Sequence, residues 1–358
     1  MQEGMFDSYA TVMYMKILKK YQRNTIMKRK KKIVFYILGT IATILFLILG
    51  TLFLFPYLER VSSKPTETSA DWMKELEDAL SLDAITLPGT HDSATTYVQL
   101  PYFMRCQSLS IREQLEAGFR YLDIRLNEEN GKLYFYHSFA KCKTGIAPWA
   151  DALELEEVLQ QVYSFLMNHP SETVLFVVKQ EGSGDIAQFQ KTLQEYIEKK
   201  PEMWLLTDQV PSLGEARGKL VLFRRYADKA GFKAQSGIAL NWSDQGGKEF
   251  QTNHLKKEIR DGVTFYIQDR YNYSVEDKIR GMEEALLQAK QLGATEGIKI
   301  HFASTAGPNS LHHPYQIAKR MNAWFQNKEF EGNIGWVVFD HGDAELAESV
   351  YQLNFLVK

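Results

Sequence analysis

Cysteine is scarce in this 358-residue sequence, with Cys106 and Cys142 the whole supply. Neither belongs to a Cys-x-x-Cys pair or a His-rich cluster, which argues against a zinc-type ligand set and leaves the two thiols either paired or free. An excess of positive charge is lacking as well. Residues 1–32 hold nine Lys or Arg against two acids, so a formal net charge of -2 for the whole chain leaves about -9 beyond residue 32. A nucleic-acid binder needs a basic face for phosphates, and that region has no surplus to form one. Repeats and low-complexity tracts are also missing. Apolar material is plentiful: 45% of residues are hydrophobic and 13% aromatic, enough for the core of one large domain.

Charge disappears altogether between Ile33 and Tyr57. A run of roughly 25 uncharged residues is long enough to cross the hydrocarbon core as a helix. The block Lys28-Arg29-Lys30-Lys31-Lys32 precedes it, and the positive-inside bias then puts residues 1–32 in the cytoplasm, an anchor at 33–58 and the rest outside the cell membrane. The competing reading is a cleaved signal sequence and a secreted protein, but the apolar core of such a leader is normally about 7–15 residues. Translation from Met27 would give a conventional short basic leader. Residues 59–70 have linker composition, and the folded domain is expected over 71–358.

Short β-rich runs alternate with helical periodicity through that domain. The expected strands are 84–87, 121–126, 133–136, 173–178, 219–223, 237–240, 264–268, 298–303 and 335–339. Helical patterns fall at 110–117, 153–168, 185–199, 275–292 and 314–327. Alternation over about 290 residues indicates a parallel α/β fold, here a (β/α) barrel of the TIM type.

Catalytic groups in such barrels sit at the C-terminal ends of strands. His91 and Asp92 follow the first run; Asp123 and Arg125 close the second; His137 follows the third. Lys179, Arg224 with Arg225, Asp269 with Tyr271, and Asp340 follow later ones. Each alone reads as a cap or a solvated edge, yet independent caps would not all fall at the same end of successive strands. The other histidines are not so placed, except that His301 lies in an apolar run and His341 follows Asp340. His312-His313-Pro314 reads as a surface loop.

The segments Leu87-Pro88-Gly89-Thr90-His91-Asp92-Ser93, 114–125 (Gln-Leu-Glu-Ala-Gly-Phe-Arg-Tyr-Leu-Asp-Ile-Arg) and His169-Pro170-Ser171-Glu172-Thr173-Val174 resemble the X-domain of bacterial phosphatidylinositol-specific phospholipase C. Residues 216–226 and Gln268-Asp269-Arg270-Tyr271 extend the resemblance, which runs from about Leu82 to Val357. It implies a distorted TIM barrel and a lyase that cleaves phosphatidylinositol by attack of the inositol 2-hydroxyl on phosphorus, giving diacylglycerol and inositol 1,2-cyclic phosphate.

Carried over by position, the resemblance makes His91 the general base, Asp340 its orienting partner, His137 the general acid and Asp92 the carboxylate behind it. Arg125 replaces the calcium ion of metal-dependent relatives, so no cofactor or metal is expected, and Asp123 positions Arg125 or the proton network. Lys179, Arg225, Asp269 and Tyr271 would hold the inositol, with Arg225 preferred to Arg224. The implied partner is an inositol phospholipid at a membrane surface. Ser138-Phe139-Ala140 departs from the small turn usual after the second histidine. Two alternatives stand beside this: a phosphodiesterase for another lipid or glycerophosphodiester, whose His-Arg-Gly opening and acidic metal cluster are not found here, and a catalytically silent tethered lipid-binding module.

Overall fold

A computed structural model describes residues 3–62, 64–308 and 313–356. His312, Ser63 of the expected linker and the terminal Met1, Gln2, Val357 and Lys358 lie outside the described residues. The chain forms two compact units, divided between Leu54 and Phe55.

The first unit is one helix, Glu3–Phe53. Its stretch from Thr11 to Phe53 is long and apolar enough to cross a membrane by length and composition. From Ile33 to Phe53 it rises about 32 Å at 1.5 Å per residue, close to the thickness of the hydrocarbon core. The expected span ran on to residue 58; the helix instead stops at Phe53, three residues before Pro56, whose ring and missing N–H do not fit a helix interior.

The second unit begins at Phe55, earlier than the Asp71 expected. Tyr57 is buried in it, and Ser69, in the presumed linker, is fully buried with its hydroxyl donated to the Glu116 carbonyl at 2.6 Å. Residues 59–70 are therefore part of the folded unit where described. Ser/Thr/Pro composition marks the absence of regular structure, and Ser69, Thr66 and Thr68 bond the Glu116 carbonyl and the Tyr351 hydroxyl instead.

Among the described residues twelve strands make its sheet: β1 (Leu87–Thr90), β2 (Tyr121–Glu129), β3 (Lys132–His137), β4 (Ala140–Lys141), β5 (Val174–Gln180), β6 (Trp204–Leu205), β7 (Leu220–Arg224), β8 (Ile238–Ala239), β9 (Lys256–Arg260), β10 (Val263–Gln268), β11 (Ile298–Phe302) and β12 (Trp336–Phe339). Parallel ladders run in the order β7-β5-β2-β1-β12-β11-β10, with β6 and β8 also parallel to β7 and β9 antiparallel on β10. Alternate residues from both ends of that order, among them Val177, Phe223, Phe265, Ile300 and Trp336, share one apolar cluster. The sheet is therefore curled around an interior, although among the described residues no ladder joins β8 to β10. It is an open, distorted barrel. Opposite faces of the strands pack on helices: Leu122, Phe176 and Leu222 with Leu155–Asn168 and Ile186–Ile197, and Val337 and Phe339 with Val275–Gln291, Pro314–Gln326 and Ala344–Tyr351.

Two departures matter for the site. The first strand lies at Leu87–Thr90 rather than 84–87, so the motif Leu-Pro-Gly-Thr is the strand itself. Pro-Gly normally signals a turn, but here Gly89 is needed because a Cβ would stand 2.8 Å from the Cβ of Tyr121 on β2. The run 133–136 is no barrel strand: β3 pairs antiparallel with an extended β2, turning at Asn130 and Gly131, both with positive φ, as a two-residue hairpin requires. The sequence reading also omitted β4, β6 and β9 and the helices Pro101–Met104, Leu213–Ala216 and Ala344–Tyr351.

Candidate active site

At the C-terminal end of the parallel strands lies a cavity of about 550 Å³. His91, Arg125, His137, Lys179, Arg225, Asp269, Tyr271 and Asp340 all line it, while Asp92 and Asp123 are buried behind it against Arg125. All ten sequence-derived residues therefore meet in one place. His137 reaches it differently from the rest, carried back to the mouth by the β2–β3 hairpin.

The His91 ring is held from two sides. Its Nε2 lies 2.7 Å from Arg125 Nη2 and its Nδ1 2.8 Å from Asp340 Oδ1. Arginine can only donate, so Nε2 accepts and the proton sits on Nδ1, facing the carboxylate. Burial and the Arg125 charge push the His91 pKa down, but Asp340, with help from Asp92, outweighs them, and the net direction is upward.

Arg125 is the hub. Its guanidinium lies 3.1 Å from Asp92 Oδ2, 3.0 Å from Asp123 Oδ2 and 3.4 Å from Glu181 Oε1. Asp123 also accepts the Asp92 backbone N–H at 3.1 Å and Arg225 at 3.0 Å. Burial would raise the Asp123 carboxyl, yet the two guanidinium groups hold it well below the usual range.

His137 faces His91 across 6.1 Å between ring centroids, nearly perpendicular to it. Its Nδ1 donates to the Met104 carbonyl at 2.8 Å, which turns Nε2 toward Asp92 Oδ2 at 3.4 Å. Asp92 adopts φ 46°, and its Oδ2 is buried without a well-formed hydrogen bond. Two imidazoles and a guanidinium thus surround one carboxylate.

Across the cavity, Arg225 stacks 3.8 Å above the Trp242 ring, and Trp242 Nε1 donates to Asp269 Oδ2 at 3.1 Å. The Tyr271 hydroxyl donates to Asp244 at 2.5 Å, which with burial pushes its pKa up to about 12. Lys179 pairs with Glu181 at 2.5 Å, and burial followed by the Arg125 charge lowers its pKa. Arg224, the alternative to Arg225, points elsewhere: it is buried and bonded to Asp261 and the Tyr226 carbonyl.

Sequence reasoning missed Glu181, Trp242 and Asp244. Glu181 had a signal, because it stands two residues past Lys179 near the end of β5 and strand alternation puts both on one face. Trp242 and Asp244 follow the short β8 in an irregular loop, where no periodicity marks them. Cys106 and Cys142 are both buried and both free. His91, Asp92 and Cys106 offer atoms within 4.8 Å of one another, but Arg125 already lies against the first two, so the protein itself supplies the positive charge at that point. His313, expected on the surface, is buried; its ring stacks on Tyr102 at 4.4 Å and pairs with Glu59.

The fold and the site together define an α/β-barrel enzyme whose mouth carries paired imidazoles around a fixed guanidinium. The family model PI-PLC X matches residues 81–233 of the chain. It is 24% identical over 306 residues to a 1-phosphatidylinositol phosphodiesterase of Staphylococcus aureus strain Newman, covering 78% of this chain and 90% of that one. A second 1-phosphatidylinositol phosphodiesterase, from Listeria monocytogenes, is 29% identical over 170 residues, covering 44% of this chain and 50% of that one. In fold the chain is similar to the solved phosphatidylinositol-specific phospholipases C of S. aureus, with TM-score 0.65, 21% identity and coverage of 79% and 98%, and of L. monocytogenes, with TM-score 0.61, 21% identity and coverage of 80% and 98%.

Proposed function

We propose that the chain is a phosphatidylinositol diacylglycerol-lyase that works without a metal. The observation that carries this reading is the His91–Arg125–His137 arrangement, in which one ring is kept as an acceptor at Nε2, the other has Nδ1 tied down, and a guanidinium lies against both His91 and Asp92.

Phosphate binding draws Arg125 onto the phosphoryl oxygens and frees His91 Nε2. His91 then takes the proton of the inositol 2-hydroxyl while that oxygen attacks phosphorus. The bond from phosphorus to the diacylglycerol oxygen breaks, its electron pair leaves on that oxygen, and protonated His137 supplies the proton through Nε2. Nucleophile and phosphorus belong to one molecule, so the cyclisation benefits from proximity. Arg125 meets the charge that develops on the phosphoryl oxygens. Lys179, Arg225, Asp269 and Tyr271 line the remaining wall and suit a ring of hydroxyls, the charged groups bonding oxygen pairs and Tyr271 offering a flat face.

The basic block Lys28–Lys32 and the apolar helix after it support a membrane anchor with the catalytic unit outside, acting on lipid at the membrane surface. The test is phosphatidylinositol in mixed micelles, with and without chelator, followed by phosphorus NMR. Inositol 1,2-cyclic phosphate is expected in both arms and lost in folded His91→Ala and His137→Ala variants. Activity that vanishes in chelator and returns with calcium would overturn the metal-free mechanism.

A further inference from the structure

The residues just after the apolar helix, expected from the sequence to end the span at 58 and begin a linker at 59, make a set of contacts with the rim of the active site. Arg105 is buried, and its Nη1 donates to the carbonyls of Pro56 at 2.5 Å and Glu59 at 3.0 Å, while its Nε donates to the Thr96 carbonyl at 3.1 Å. The Glu59 carboxylate pairs with His313, receives Gln316 at 2.8 Å and is itself nearly buried. His313 Nδ1 in turn donates to the Tyr102 carbonyl at 2.7 Å and its ring stacks on Tyr102. Tyr102 and Arg105 bracket Met104, the residue whose carbonyl receives His137 Nδ1.

We infer that Glu59 is a positioning residue for the general acid. Residues 56–59 grip Tyr102 through His313 and Arg105 directly, and so fix the Met104 carbonyl that sets the tautomer and direction of His137. Helix Pro101–Met104 is a single turn with no side-chain cap at its start, so the short segment depends on outside contacts for its place. The loop after β12 supplies another, since His341 Nε2 lies 2.9 Å from the Arg105 carbonyl. That hold comes from the loop after β12; the grip of Glu59 comes from the first residues of the unit, which follow the apolar helix in the chain. A misdirected imidazole costs rate rather than binding, because only the transition state needs the proton delivered.

This inference rests on the proposed lyase reaction, and the experiment separates the two. Full-length wild type, Glu59→Ala, Glu59→Gln and His313→Ala are assayed on phosphatidylinositol micelles, with nitrogen-15 NMR of the histidine rings. Expected are a kcat lowered about ten-fold in Glu59→Ala and His313→Ala with KM within two-fold, a double variant no slower than either single one, most of the rate retained in Glu59→Gln, and a His137 ring that loses its fixed Nδ1–H signature. Unchanged kcat and an unchanged His137 spectrum, with only a lower melting temperature, would overturn the positioning role, and so would a rise in KM at constant kcat. A wild type that releases no cyclic phosphate would instead refute the lyase reading, while the ring spectra would still report on the grip.

Discussion

Arg125 Nη2 lies 2.7 Å from His91 Nε2, so the guanidinium is hydrogen-bonded to the nitrogen that accepts the proton in the proposed reaction. The His91 ring is therefore held with its acceptor at Nε2, capped by the group that the proposed mechanism moves onto phosphate. The surrounding carboxylates of Asp123, Asp92 and Glu181 raise the Arg125 pKa well above its ordinary value and keep it charged at any working pH.

Arg125→Lys keeps the charge but loses the planar fork that reaches Asp123, Asp92 and His91 together. Removal of one fixed donor at a developing charge costs about 100- to 1,000-fold in kcat. Steady-state kinetics on a variant with native circular dichroism should give a loss of that size, unrelieved by calcium. A variant within three-fold of wild type would place the phosphate elsewhere.

Asp340 raises the His91 pKa against burial. Asp340→Asn removes that charge, so His91 loses its proton at lower pH and the acid limb of kcat/KM moves down the pH scale. The plateau rate falls as well, because an amide no longer selects the Nδ1–H tautomer; loss of an orienting carboxylate costs about 10⁴-fold in the serine-protease case. A pH–rate profile from pH 4 to 9 checks both effects, and an acid limb that stays put or rises would contradict them.

What the sequence made legible was chemistry at strand ends. Parallel strands all deliver their C-terminal residues to one mouth, so His91, Asp123, Lys179, Asp269 and Asp340 could be assembled without coordinates. What it hid were places where long-range contacts decide. Leu87–Thr90 is a strand despite Pro-Gly because neighbours on both sides complete its ladder. His137 looked like another strand-end residue, whereas the positive φ values of Asn130 and Gly131 fold it back from an antiparallel excursion. Composition reads 59–70 as a linker because the partners of Thr66, Thr68 and Ser69, on Tyr351 and Glu116, are remote in sequence.

Arg224 and Arg225 are adjacent and do different work. Arg225 sits in the cavity wall over Trp242, so Arg225→Ala should raise KM for phosphatidylinositol about ten-fold or more, as loss of a charge-assisted contact of about 1.5–3 kcal/mol implies. Arg224 is buried against Asp261 and the Gly237 carbonyl, so Arg224→Ala should lower the melting temperature and leave KM near wild type. Thermal denaturation and kinetics on the pair decide it; the reverse pattern would exchange their roles.

Lys278 is fully buried on helix Val275–Gln291, with Nζ donated to Gln268 Oε1 at 2.8 Å and the Arg270 carbonyl at 3.3 Å. Burial lowers its pKa to about 7 despite the attraction of Asp269 and Asp340. The unfolded chain, with lysine near 10.4, then binds more protons than the folded one between about pH 7 and 10, and wild-type stability rises with pH through that window. Below pH 7 the charge is buried and the penalty is complete. Lys278→Met removes the penalty, so its stability relative to wild type should be most favourable near pH 6 and decline toward pH 10, with a slope of up to about 1.4 kcal/mol per pH unit. The same substitution frees the segment that carries Asp269 and Tyr271, so KM should rise while stability improves. Urea melts at pH 6, 8 and 10 give the slope, and parallel curves for the two proteins would mean that Lys278 is not the group whose protonation is linked to folding.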